Sequence, residues 1–299
     1  MSLVSFVKIP NDTVKSIKQS ISKSLVLINN NWPKSVKNIV IKPNLCYYWD
    51  YSTGQTTDPK FVAALIELIH EEISKNLNIS IVESDASAMK CKHALKMLGY
   101  EYLAKDYNVG LVNLSEAKAD SLRVTAGNHF FNLMIPHIIK NADLKINIPK
   151  IKYTMEKIKI TCALKNIFGC NPYPKKFQYH SRLEETIVAI NKAMKFDLCI
   201  IDGNIVSGVQ PRRLGLAMAS KDPVAIDVAA VKIAGINPRT IKYLKLAIRE
   251  GLGNANFVPK GEALEYFKAR YPKKNTKKRL MGRAYSIIVQ TPLAKKIGL

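Results

Sequence analysis

Short, densely apolar runs alternate along the chain with longer segments whose apolar residues recur every three or four positions. Val36–Lys42 is a run of the first kind, stopped by Pro43, and reads as a buried strand emptying into a loop. Asp58–Pro59 then supplies a favoured N-cap and a residue pre-shaped for the first helical turn. Phe61, Val62, Leu65, Ile66, Ile69 and Ile73 follow at helical spacing. Ile79–Val82 predicts a second strand, and Met89–Leu98 a helix stopped by Gly99. Val109–Val112 and Leu144–Ile148 predict further strands, the latter ending before Pro149. Further on, Leu183–Met194 reads as helix and Leu198–Ile201 and Leu214–Ala219 as strands, while Asp222–Pro223 opens a helix over Val224–Ala234. This alternation predicts an α/β fold, a mostly parallel sheet flanked by helices, with room for two lobes and a cleft between them. Ligands of such sheets sit in loops beyond the carboxyl ends of the strands. Here those loops include Pro43–Thr57, Ser84–Ser87, Pro149–Gly169 and Asp202–Arg213.

With 299 residues, 47% of them hydrophobic and 23% charged, the composition is that of a globular protein and excludes a disordered chain. Charge changes the picture more. The 46 lysines and arginines against 23 acids leave a formal net charge of +23, which points to an anionic partner: nucleic acid, a membrane surface or a small anion. The excess is localised. Lys140–Arg182 carries ten basic and two acidic residues, and Lys260–Leu299 eleven and two. The pattern divides the chain into an α/β core over 1–258 and a basic C-terminal tail over 259–299.

The N-terminal segment lacks the apolar stretch of a secretory signal, and no apolar run approaches the ~18 residues of a membrane span. The five cysteines are scattered with no CxxC pair, so no local iron–sulfur motif or closed zinc site is read and most are expected to be small buried apolar residues. No HxH, HExxH or GxGxxG pattern occurs. No metal site and no cofactor are assigned. The expected location is cytoplasmic, or peripheral at a membrane.

The densest chemistry lies in NIPKIKYTMEKIKITCALKNIFG, Asn147–Gly169. A strand there empties into a loop with Lys150 and Lys152, followed by Lys165 and Asn166. Lysines converging beyond a strand end bind carboxylate or phosphate, and a partly buried one serves acid–base or covalent chemistry. A solvated basic loop is the alternative. Lys165 stands apart, because Ile160, Ala163, Leu164, Ile167 and Phe168 surround it in sequence and an idle ammonium among them is costly. Lys42 and Asn44 occupy the matching strand end in IKPNL, and Thr57 precedes a helix N-terminus where it either meets an anion or simply caps. Asp202 ends another strand, and Asp227 lies in an apolar helix segment where a lysine partner is expected. His180 follows the basic PYPKKFQYH stretch and opens a helix towards the same cleft.

At these motifs the sequence resembles the "domain of unknown function 362" family. The residues are IKPNL (Ile41–Leu45), TTDP (Thr56–Pro59), NIPKIK (Asn147–Lys152), TCALKNIFG (Thr161–Gly169), IIDG (Ile200–Gly203), SKDPVAIDVAA (Ser220–Ala230) and GLG (Gly251–Gly253), in family order over about 35–255. Many relatives carry cysteine clusters for iron–sulfur centres, which this chain lacks, and Thr154 stands where the family usually has a histidine. A more distant similarity is to the nickel-pincer lactate racemases, whose site uses a histidine, a cofactor-bonded lysine and a second histidine. It implies cofactor attachment at Lys165 and a ligand role for His180, with Thr154 in place of the first histidine. What this resemblance carries over is an anion-binding cleft.

Three readings follow. In the first, a cleft gathers Lys42, Asn44, Thr57, Lys150, Lys152, Lys165, Asn166, His180 and Asp202. Lys150 and Lys152 hold an anionic small molecule there, Lys165 acts as covalent or general-base lysine, Asp202 orients it and His180 transfers a proton or ligates a metal. In the second, the basic loop and tail bind nucleic acid or a ribonucleoprotein, although few aromatic residues interleave with the lysines. In the third, the tail lies on an anionic membrane surface.

Overall fold

The structure, a computed structural model, describes residues 1–45, 47–154 and 158–272. Its strands are β1 (Ser2–Lys8), β2 (Asn38–Pro43), β3 (Asn78–Glu83), β4 (Gly110–Asn113), β5 (Ala119–Ala126), β6 (His129–Pro136), β7 (Leu144–Ile148), β8 (Lys152–Tyr153), β9 (Ile160–Thr161), β10 (Leu198–Val206), β11 (Arg212–Ser220) and β12 (Phe257–Gly261). The helices are α1 (Val14–Leu27), α2 (Pro59–Glu72), α3 (Cys91–Met97), α4 (Tyr100–Tyr107), α5 (His137–Lys140), α6 (Ala163–Ile167), α7 (Leu183–Ala193), α8 (Pro223–Ile233), α9 (Lys242–Arg249) and α10 (Leu264–Lys268).

Eight strands form one sheet in the order β12-β1-β11-β10-β7-β2-β3-β4. The run β10-β7-β2-β3-β4 is parallel throughout, as is β12 with β1, and only β1/β11 and β10/β11 are antiparallel. A single sheet therefore joins the two halves of the chain. Successive residues of a strand point to opposite faces, and β2 shows the result. Ile39 and Ile41 join a core with Ile17, Leu65 and Ile66 under α1 and α2, whereas Val40 joins a core with Ile187, Val188 and Ile226 under α7 and α8. Burial on both faces is why these strands read as unbroken apolar runs.

Both Asp-Pro starts behave as their chemistry dictates. Asp58 accepts from Lys60 N at 2.8 Å, Asp222 accepts from the N–H groups of Val224 and Ala225 at 2.9 Å, and each helix has proline in its first turn.

The tail boundary needs correction. Residues 257–261 pair with β1 from Ser2↔Phe257 to Phe6↔Gly261, and Phe267 is fully buried. The hydroxyl of buried Tyr271 donates to the Ile151 carbonyl at 2.9 Å. A cut after residue 258 would split β12, because apolar positions among the lysines complete the sheet edge; the folded body reaches Pro272. The remainder of the predicted tail, 273–299, lies outside the described residues.

Candidate functional site

Strands β2, β3 and β7 are parallel neighbours whose carboxyl ends open on one edge of the sheet. Two charges are buried at that edge as a pair: Lys42 Nζ lies 2.7 Å from Glu83 Oε2 and donates to the Pro43 carbonyl at 2.7 Å. Glu83 also accepts from Ser84 N at 2.9 Å, so both ions are compensated where an isolated one would be costly. Beside them, Asn166 Nδ2 donates to Asn147 Oδ1 at 2.7 Å and to the Lys42 carbonyl at 3.2 Å. Asn166 Oδ1 accepts from Asn44 Nδ2 at 2.7 Å, and Asn147 Nδ2 donates to the Ala163 carbonyl at 3.0 Å. This amide chain ties α6 to β2 and β7.

Above the amides lies a cavity of about 520 Å³. Of the residues expected to form the cleft, Lys42, Asn44, Lys152, Lys165, Asn166 and His180 line it. Lys152 Nζ donates to the Gln55 carbonyl at 2.8 Å. Lys165 is half-buried, with Nζ 5.8 Å from the Phe168 ring centre, while Ala163, Leu164 and Ile167 of the same helix enter the core. Of the apolar neighbours read around Lys165, Ala163, Leu164 and Ile167 thus turn to the core, while Phe168 lines the cavity with it. His180 stacks edge-on to Phe177 at 4.8 Å between ring centres.

Lys150, Thr57 and Asp202 do not line the cavity; they form the layer beside it. Lys150 Nζ is 2.9 Å from Asp202 Oδ2, and both side chains are buried. Asp202 also accepts from the N–H groups of Asp58 and Asn204 at 3.0 Å. It therefore holds Lys150 and the head of α2, not Lys165 as expected. Thr57 Oγ1 accepts from Asn44 N and donates to the Ile148 carbonyl, both at 2.9 Å, bracing the strand ends instead of facing an anion. Asp227 meets no lysine among the described residues either. Its carboxylate accepts from Ala163 N at 2.6 Å and Leu164 N at 3.2 Å, supplying the acceptors that the first turn of α6 lacks. Burial pushes the Asp227 carboxyl up to about 7.

Three contributors were not singled out in the sequence: Glu83, Ser84 and Lys176. Lys176 lines the cavity and is 8% exposed. Its Nζ donates to Ser84 Oγ, which in turn donates to the Gly169 carbonyl. Burial lowers the Lys176 ammonium to about 8, with the Lys42 charge adding to the effect and Glu83 opposing it. Glu83 carried a signal, an acid ending an apolar strand; the fold of the PYPKK segment over Ser84 has no local signature. The four described cysteines Cys91, Cys162, Cys170 and Cys199 are buried and free, and burial pushes the Cys91 and Cys170 thiols up to about 12.

Among the described residues no three His, Cys, Asp or Glu side chains are placed to hold a metal ion. The donors implied by the racemase resemblance do not fit nickel either: Thr154, Lys165 and His180 line one cavity, but a threonine hydroxyl is a poor substitute for an imidazole.

The sequence model of the family described as Domain of unknown function (DUF362) matches residues 39–232. A thylakoid-associated protein of Synechocystis sp. is 28% identical over 236 residues, covering 74% of this chain and 70% of that protein. Among solved structures, the lactate racemase apoprotein from Thermoanaerobacterium thermosaccharolyticum matches at 13% identity and a TM-score of 0.45, covering 79% of this chain and 58% of that one. A Thermotoga maritima protein matches at 11% identity and a TM-score of 0.38, covering 79% and 59%. The chain spans less than two thirds of the length of both solved structures.

Proposed function

The chain belongs to the Domain of unknown function (DUF362) family, and from that premise we propose that its cavity binds a small compound bearing a carboxylate or phosphate. The observation that carries this reading is the cavity lining: among the described residues, four lysines, Lys42, Lys152, Lys165 and Lys176, and one carboxylate, Glu83. Glu83 is paired with Lys42, and among the described residues the lining carries more ammonium groups than carboxylates, which favours an anion. Asn44 adds specificity. Its Oδ1 is buried without a hydrogen-bond partner among the described residues, an acceptor suited to a ligand hydroxyl. In this reading Lys152 and Lys165 take the anionic group, and His180 on the same lining moves a proton. Inorganic phosphate and pyruvate should raise the thermal midpoint of the full chain, and Lys165→Ala or Lys152→Ala should remove most of that rise. Indifference of the wild-type midpoint to both anions would refute the reading.

A second reading, attachment to an anionic membrane surface, is favoured by the basic residues beyond Pro272 and by the thylakoid-associated relative. It uses a different part of the chain and is compatible with the first. None of the described helices is long and apolar enough to cross a membrane.

A further inference from the structure

The lysines buried at the strand ends are of two kinds. Lys42 and Lys150 each rest on a carboxylate, Glu83 at 2.7 Å and Asp202 at 2.9 Å. Lys176 is buried almost as deeply, yet its hydrogen-bond partners are neutral: the Ser84 hydroxyl and, at 3.4 Å, the Gly169 carbonyl. The Lys42 ammonium is close by, because a Cβ added at Gly169 would lie 3.2 Å from both Lys42 Nζ and Glu83 Oε1. The Lys42–Glu83 pair beside it brings opposing charges, so burial among neutral acceptors is what disfavours the ammonium of Lys176, the condition that frees an amine to act as nucleophile. A solvated lysine offers almost no neutral amine near neutrality.

We propose that Lys176 is a covalent amine that forms an imine with an aldehyde or ketone carrying a carboxylate or phosphate. The inference rests on the anion-binding reading for orientation, since Lys152 and Lys165 on the same cavity would hold the charged group. In the reaction the Nζ lone pair forms a bond to the carbonyl carbon and the π pair moves to oxygen. One proton passes from nitrogen to that oxygen, giving a carbinolamine. The C–O bond then breaks, and the hydroxide leaves with the second nitrogen proton as water. Amine and carbonyl become imine and one water, with no oxidant or reductant. Ser84 Oγ, bonded to Nζ and to the Gly169 carbonyl, is placed to relay the proton. The groups that set the charge state of Lys176 are Glu83 and Cys91 from the β3–α3 side, Lys42 from β2 and Cys170.

The test is borohydride reduction of the full chain in the presence of pyruvate, read by intact mass and peptide mapping. The expected result is one adduct, equal to pyruvic acid less one oxygen, on the peptide containing Lys176. Its yield should climb to about pH 8 and level off, whereas adducts on solvated lysines keep rising towards their ordinary value near 10.5. Lys176→Arg and Lys176→Met should both lose it. An adduct on Lys152 or Lys165, or one scattered over many lysines and unchanged in both variants, overturns the proposal. So does the absence of any adduct while phosphate still stabilises the protein. An adduct at Lys176 without stabilisation by phosphate or pyruvate would instead retain the imine and reject the anion-binding reading.

Discussion

At Asp58 two demands on one carboxyl conflict. The free N–H groups at the head of α2 favour an acceptor, and Oδ1 accepts from Lys60 N at 2.8 Å. Oδ2, however, is buried without a partner among the described residues, and the Asp202 carboxylate lies nearby. Burial first, and Asp202 second, push the Asp58 carboxyl up to about 7 from 3.8. A raised carboxyl keeps its proton longer in the native state, so stability falls as pH rises between about 4 and 7 and stays reduced above that. Asp58→Asn keeps the cap and removes the ionisation. Its stability relative to wild type should improve between pH 5 and pH 8, by an amount on the order of a few kcal/mol. Denaturation midpoints at the two pH values measure this, and an unchanged difference would contradict it. Lys150 makes the complementary case. Lys150→Met strands the buried Asp202 carboxylate and should cost about 3–5 kcal/mol in denaturant unfolding, much of it recovered in Lys150→Met/Asp202→Asn. Because neither residue lines the cavity, the double variant should keep stabilisation by phosphate.

Elements explain which parts of the fold were legible. Strands β2, β3, β7, β10 and β11 and the two Asp-Pro helices were plain in the pattern, whereas β1, buried over Val4–Val7, was not singled out. Helix α1 was not, because its inward face alternates Ile17, Ile21 and Leu25 with buried Ser16, Ser20 and Ser24, which halves the apolar signal. The β5–β6 hairpin escaped because most of β5 faces solvent. The site divides in the same way. Lys42, Asn44, Lys152, Lys165, Asn166 and His180 were legible because strand-end loops gather in an α/β sheet. That Lys150 turns aside depends on its bridge to Asp202, and that Lys176 turns inward depends on Ser84; both are partners remote in sequence. Helix α6, which carries Lys165, depends on Asp227 in the same non-local way. Asp227→Ala orphans the N–H groups of Ala163 and Leu164 and should lower stability by about 1–3 kcal/mol, measured by urea unfolding. Gly54 anchors the loop whose Gln55 carbonyl holds Lys152. At φ 70°, and with an added Cβ 2.3 Å from Ser207 N, Gly54→Ala should destabilise by about 2 kcal/mol or more in the same measurement.

For the whole molecule, the positive excess is concentrated in part at two places with different physics. One part lines the cavity on the folded body, where neighbouring ammonium groups suit a single small anion. The other follows Pro272, where eight lysines and arginines occur without one acid, a composition suited to an extended polyanionic surface. Because the body includes β12 and α10, the informative truncation ends at Pro272; a cut after Phe257 would strip the sheet edge. The 1–272 protein should lose flotation with vesicles rich in anionic phospholipid while retaining stabilisation by phosphate. The most direct test of the central claim is isothermal titration of phosphate and pyruvate into the full chain, beside Lys152→Ala, Lys165→Ala and Lys150→Met/Asp202→Asn. Saturable one-site binding is expected, weakened at least about tenfold in both cavity variants by the loss of one charge-assisted contact and kept in the double variant. Absence of binding to the wild type, or equal binding in the cavity variants, would contradict it.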